Sequence, residues 1–206
     1  MQRDHEDLQS AAPGITRGRV LGGAGVAGTG LLAGGVLAAG LPAAATSAGS
    51  ERQDRRILEF LLELEEMQAA LYAGGTQRAS LEGEPREFAR IAEEHEREHI
   101  AAVREALGGT APQAASYDFA DMTRDSRTFL AAAAELEDIA LSAYIGAAPD
   151  LTTSTLREAA RILSVEARHA AWAAELTGAE PAPRASEEGR TQAQVRTRLR
   201  ESGFVR

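Results

Sequence analysis

The sequence predicts an all-α fold, a four-helix bundle with one long crossover and an internal two-fold repeat. Three observations carry this. Four segments have apolar side chains recurring at helical spacing between glycine-rich breaks. The segments repeat one another in pairs. Each pair also sets the same acidic and imidazole residues into the centre of its apolar face. The chain has 206 residues, enough for one domain of about 150 residues with extensions. Its expected organisation is a leader over residues 1–50, the bundle over 51–179 and a polar tail over 180–206.

The leader reads as an export signal. Arg17-Gly18-Arg19 precedes an uncharged stretch from Val20 to Ser50, rich in Gly and Ala and closing on the small residues Ala43, Ala44, Ala45 and Ala48. Thr16-Arg17-Gly18-Arg19-Val20-Leu21 resembles a twin-arginine motif in which Gly18 replaces the second adjacent arginine. A retained anchor is the alternative, because the run exceeds about 20 residues. Its many glycines make a poor spanning helix, which favours cleavage and no stable membrane span.

The helices are expected at about 52–73, 84–107, 124–147 and 154–177, stopped by Gly74-Gly75, Gly108-Gly109, Gly146 and Gly178. Short links make the first and third connections antiparallel hairpins, with Pro149-Asp150 turning the chain and Thr155-x-x-Glu158 as a capping box. The middle link has some 16 residues, able to extend about 50 Å against about 36 Å for a helix of 24 residues. It can therefore run the length of the bundle. In the tail, residues 191–202 can form a short surface helix anchored by Val195 and Leu199, with the arginines from Arg196 to Arg206 solvated.

Each apolar face carries acid. At about 100° per residue, Leu58, Leu61, Leu62, Ala69 and Tyr72 flank Glu65, and Leu130, Ala133, Ala134, Ala140, Leu141 and Tyr144 flank Glu137. Glu96 and Glu166 are enclosed likewise, and each is followed by a histidine three residues on, His99 and His169. A given histidine has Glu at that position by chance about one time in ten; two of the four here do. Glu-x-x-His sets both side chains on one face, where they can reach the same or adjacent ions. Buried carboxylates cost several kcal/mol each unless protonated, paired or bound to metal. These faces carry no arginine, and the chain has no lysine. Glu65, Glu96, His99, Glu137, Glu166 and His169 are thus the expected ligands of two divalent metal ions.

The repeat carries the same residues. Glu65 leads to Tyr72 and Gly74 as Glu137 leads to Tyr144 and Gly146; Glu96 leads to His99, Glu105 and Gly108 as Glu166 leads to His169, Glu175 and Gly178. Two related hairpins would each give one Glu and one Glu-x-x-His to a site on their common axis. Tyr72 and Tyr144 read either as hydroxyl donors to these carboxylates or as core aromatics. His95 falls at the margin of its face and reads as solvated beside Glu94 and Glu98, the alternative being a place against the ligands or as a substitute ligand. Trp172 points off the ligand face and reads as packing between helices.

Composition excludes other chemistry. With no cysteine, disulfides and thiolate metal sites are ruled out. A net charge of -9 argues against a nucleic-acid partner.

The order Glu65, Glu96-x-x-His99, Glu137, Glu166-x-x-His169 resembles the ferritin-like superfamily of di-metal carboxylate proteins. Ile57-Leu58-Glu59-Phe60, Glu137-Asp138-Ile139 and Ser164-Val165-Glu166-Ala167-Arg168-His169-Ala170 resemble exported members related to plant desiccation-related proteins. The resemblance covers about residues 52–190. Gln68 stands where many relatives have a second acid, and Ser186 where a phenylalanine is usual. The resemblance implies a ferritin-like bundle, and Tyr72 resembles the tyrosine near the di-iron site of ferritins. Two functions are expected from the site. One is a di-iron or di-manganese oxidase, peroxidase or catalase-like centre acting on O2 or peroxide in an exported stress-protection protein. The other is a non-enzymatic metal-binding or structural protein of the cell envelope. A storage cage is a third reading. Ligands of O and N suit Fe, Mn and Zn, with Fe or Mn expected.

Overall fold

The computed structural model describes residues 49–205. The segment expected as an export leader, 1–50, falls almost wholly outside them. Within them the regular secondary structure is all helical, with α1 at Glu51–Arg78, α2 at Gly83–Leu107, α3 at Ser126–Ala147, α4 at Thr153–Thr177 and α5 at Gln192–Glu201. No strand occurs among the described residues, and no helix there is long and apolar enough to cross a membrane.

The hairpins α1–α2 and α3–α4 pack against each other mainly through α1 and α3. Gly75 of α1 lies against Phe129 of α3, while Asp54, at the other end of α1, meets Thr152 before α4. The two helices are therefore antiparallel. The link after α2 returns along α1 to reach this arrangement. Arg104 and the Ala115 N–H both bind Glu66 in mid-α1, and Thr123 accepts a hydrogen bond from Arg78 at its end. This is the one-crossover topology, with α2 and α3 parallel.

Gly74-Gly75 does not stop α1, which continues to Arg78. These glycines serve close packing instead. A Cβ on Gly75 would sit 2.3 Å from the Phe129 ring, and one on Gly74 would meet Arg78 and Thr123. α3 ends at Ala147, as expected, but Gly146 serves packing there and not a left-handed cap. A Cβ there would collide with the Arg190 carbonyl, because the tail crosses α3 at this point. Gly178 does end α4, with φ of 78°, as a left-handed cap must.

The expected capping box at Thr155 is also corrected. Thr152 is the N-cap of α4, and its side chain makes no cap bond to the helix. Asp54 of α1 does this work from outside: its carboxylate accepts from the Thr152 N–H at 2.9 Å, from the Thr152 hydroxyl and from the Thr155 hydroxyl at 2.6 Å. A buried anion at a helix N-terminus is favoured by the dipole and by orphan donors. Burial opposes its charge, but the three hydrogen bonds outweigh burial and hold Asp54 below the usual carboxylate range.

The tail is docked rather than solvated. Thr191 and Gln194 form a capping box for α5, and Val195, Leu199 and Phe204 are buried. Arg196 grips Glu63 with both terminal nitrogens and lies over Phe60; Arg198 grips Glu135. The bidentate pairs hold these two arginines against the bundle while they stay half-exposed, and Arg200 remains exposed.

Candidate metal centre

All four acids that the apolar faces carry are fully buried at the middle of the bundle, and His99 and His169 are nearly so. The helices place them by register. Glu65 and Glu137 come from the antiparallel pair α1 and α3, and the two Glu-x-x-His motifs from α2 and α4, one turn apart on each.

Their donor atoms form two overlapping sets. Glu65, Glu96, His99 and Glu166 make one; Glu96, Glu137, Glu166 and His169 make the other. In each, one ligand atom per residue lies within 4.8 Å of all the rest. Glu96 and Glu166 belong to both. His99 Nδ1 stands 3.1 Å from Glu65, 3.2 Å from Glu96 and 3.1 Å from Glu166, and His169 Nδ1 stands 3.1 Å from Glu96 and 3.9 Å from Glu137.

Several of these atoms converge without bonding one another. Glu96 Oε1, Glu137 Oε2, Glu166 Oε1 and His169 Nδ1 are buried with no hydrogen-bond partner. Glu96 Oε1 and His169 Nδ1 are 3.1 Å apart, yet misaligned for a hydrogen bond. Buried polar atoms are rarely left so, and four facing one point are an arrangement a cation satisfies. The residues present therefore fit metal.

Outside the ligand atoms, each hairpin steadies the other's acid. Tyr72 of α1 donates to Glu137 of α3, and Tyr144 of α3 donates to Glu65 of α1 at 2.5 Å. Both hydroxyls are donors to carboxylates, the reading offered above beside a plain core role. Gln68 donates to Glu166 Oε2 at 2.8 Å. Gln68, expected only as a departure from relatives, stands three residues after Glu65 and so on the same face.

His95 requires a correction. It is half-buried rather than solvated, its ring stacks on His169 at 5.2 Å, and its Nδ1 lies 2.9 Å from His169 Nε2. The signal was its position one turn before His99. For His169 Nδ1 to offer a lone pair to a cation, Nε2 must carry the ring proton and donate it to His95 Nδ1. Trp172 is off the ligand face, as expected, with its indole N–H donating to Glu84 and its ring against Phe88.

The crowding of charge shows in the acidities. Burial, with repulsion from Glu96, pushes Glu65 up to about 7 despite its bond to His99. Burial and repulsion from Glu166 push Glu96 up to about 7, and burial with Glu166 and Glu96 raises Glu137 well above the usual range. Burial opposes a charge on His99, but hydrogen bonds to Glu166, Glu65 and Glu96 overcome it and push the imidazole up to about 12. Burial lowers His169. Without metal, a proton on His99 supplies the positive charge this cluster needs.

No curated protein matches the chain at a significant level. The family profile of the ferritin-like domain matches residues 53–179, more than half of the sequence and the whole span of the four bundle helices but for the first two residues of α1. On that match and the all-helical architecture, the chain belongs to the ferritin-like domain family.

Proposed function

We propose that the protein holds a dinuclear Fe or Mn centre and carries out redox chemistry on O2 or peroxide, as an exported protein of stress protection. The observation that supports this most directly is the sharing of Glu96 and Glu166 between two four-residue donor sets. A single ion needs no such sharing. In this reading Glu65, Glu96, His99 and Glu166 would hold one ion, and Glu96, Glu137, Glu166 and His169 the other. Four carboxylates balance two divalent cations.

When bound, two such ions supply reversible electron transfer toward O2 or peroxide. The protein's part is positional. Tyr72 and Tyr144 each hold one oxygen of a terminal carboxylate, which leaves the other oxygen of that carboxylate to the ligand sets. Gln68 fixes Glu166, and His95 fixes the tautomer and tilt of His169. Leu61, Leu62 and Ala133 belong to the surrounding apolar core, which limits water around the centre.

Elemental analysis of protein purified from its native compartment tests the metal, with two Fe or Mn per chain expected. Turnover of Fe(II) or hydrogen peroxide by the metallated protein tests the reaction. Metal bound without turnover of either leaves a non-enzymatic protein. No bound metal refutes the centre.

A further inference from the structure

A cleft of about 900 Å3 opens where the start of α1, the end of α2 and the start of α4 meet. Leu58, Val103, Ala159 and Ile162 give it apolar walls, and Tyr144 also lines it. Since the Tyr144 hydroxyl donates to Glu65, its ring connects this space with one half of the donor cluster.

The repeat supplies a template for what belongs there. The interval that pairs Glu96 with Glu166 and His99 with His169 also pairs Phe88 with Glu158 and Ala102 with Trp172. At the opposite end of the bundle, Phe88 stands edge-on to Tyr72 at 5.6 Å and Trp172 edge-on to Phe88 at 5.2 Å. That aromatic stack closes the end over Tyr72, which is fully buried. At the cleft, the equivalent positions are Glu158 and Ala102, both exposed and both on its lining. The protein has an aromatic pair over one tyrosine and none over the other.

We propose that this cleft binds an uncharged aromatic small molecule, seated edge-on to Tyr144 in the space that Phe88 and Trp172 fill at the other end. The cleft has the size of ordinary small-molecule sites, which are mostly apolar with a few polar groups. Its rim disfavours an anion: Glu51, Glu105 and Glu158 stand on it, while Arg161 is paired with Glu158 and Arg55 with Glu59. The ligand would approach the Glu65 and His99 half of the centre and not the Glu137 and His169 half. This deepens the function proposed above and rests on it for any chemical purpose, but the binding itself needs no metal.

The test uses the full chain, metal-free and Mn(II)-loaded, with 2-naphthol as the neutral two-ring probe and 2-naphthoate as its anionic counterpart. Calorimetry or saturation-transfer NMR should show 2-naphthol binding both forms, and 2-naphthoate binding at least about tenfold more weakly. The double variant Ala102→Trp/Glu158→Phe rebuilds the aromatic pair and should weaken 2-naphthol by about tenfold or more. The single variant Ala102→Leu, a milder filling, should weaken it in the same direction and guards against misfolding of the double variant. The native Trp172 reports on the opposite end, so its fluorescence should not respond to the probe. No binding of 2-naphthol, undiminished binding by folded Ala102→Leu and double variants, or equal binding of the anion overturns the proposal. Naphthol binding that the fillings exclude, in a chain that takes up no Mn(II), supports the cleft and refutes the metal centre. Mn(II) uptake without naphthol binding does the reverse.

Discussion

Metal uptake by this cluster must release protons, and their number should fall as pH rises. In the metal-free protein His99 holds its proton to about 12, while Glu65 and Glu96 lose theirs near 7 and Glu137 is raised well above the usual range. A cation can be bound only when these groups give up their protons, so affinity and proton release are linked. At pH 6 His99, Glu65 and Glu96 together hold about three protons, and at pH 8 about one. Filling both positions should therefore release at least about three protons at pH 6 and at least about one at pH 8, any proton on Glu137 coming in addition. The combined affinity should rise steeply with pH between them and more gently above. Anaerobic calorimetric titration with Mn(II), in pairs of buffers with different ionisation enthalpies, measures the count at each pH. Fewer than about one proton released at pH 6, or a count that grows with pH, would refute the assignment of these residues as a charge-coupled ligand set. Stability of the metal-free form should follow the same sign. Carboxyl groups raised from 4.5 to about 7 favour the folded state when neutral. Their contribution is present below about 4.5 and is lost as pH rises through about 7, on the order of 3 kcal/mol for each group if fully expressed. The His99 contribution is fully present below about 6.5 and is lost progressively as pH rises from there to about 12. The melting temperature of metal-free protein should thus fall from pH 5 to pH 8, and metal should remove most of that slope.

His95→Ala should weaken the metal position that contains Glu137 and His169 by about 10- to 100-fold and spare the other, read as a split into two binding steps by Mn(II) calorimetry. Equal loss at both positions, or none, would contradict its role in orienting His169. Gly75→Ala gains about 1 kcal/mol of helix propensity but drives a methyl into the Phe129 ring, so a net loss of about 1–3 kcal/mol in chemical denaturation is expected. Phe129→Leu in that background should recover part of it. Asp54→Asn should cost about 1–2 kcal/mol, since α4 loses one of the two oxygens that accept from Thr152 and Thr155, and the negative charge at its N-terminus. Because Asp54 is held below 3.8 when folded, its contribution is present above that value and lost as pH falls through the folded pKa. The variant should flatten the acid limb of the stability profile, and an unchanged limb would show that the charge contributes nothing.

The burial of the six candidate ligands was legible because each violates its surroundings: an acid or imidazole on an apolar helical face announces burial by position alone. The crossover was legible from length, which only a full traverse of the bundle uses. The ends of α2, α3 and α4 fall where expected, at Leu107, Ala147 and Thr177, but α1 runs on to Arg78. Gly74, Gly75 and Gly146 carry the same local signal as Gly178, but only Gly178 adopts the left-handed backbone; the others are small because Phe129, Thr123 and the Arg190 carbonyl press on them. Such contacts between remote residues leave no trace in one helix's periodicity. Asp54 was hidden for a similar reason. Its partners Thr152 and Thr155 stand about a hundred positions away, so a local reading finds a capping box at Thr155 and misses the distant carboxylate. His95 illustrates a face whose edge is decided by the neighbouring helix, because the His169 ring reaches across from α4 to meet it.

The crossed tyrosines also govern how the domain comes apart. Tyr72 serves the acid of the second hairpin and Tyr144 the acid of the first, so separating the halves strips both Glu65 and Glu137 of their donors at once. A hairpin standing alone would expose an acidic stripe on the very surface meant to collapse. Neither half then has a low-energy resting state of its own, and protection of backbone amides against hydrogen exchange should rise and fall together in α1 and α3 rather than hairpin by hairpin. The duplicated architecture, which looks like two modules, behaves as one cooperative unit because each module keeps the other's missing part.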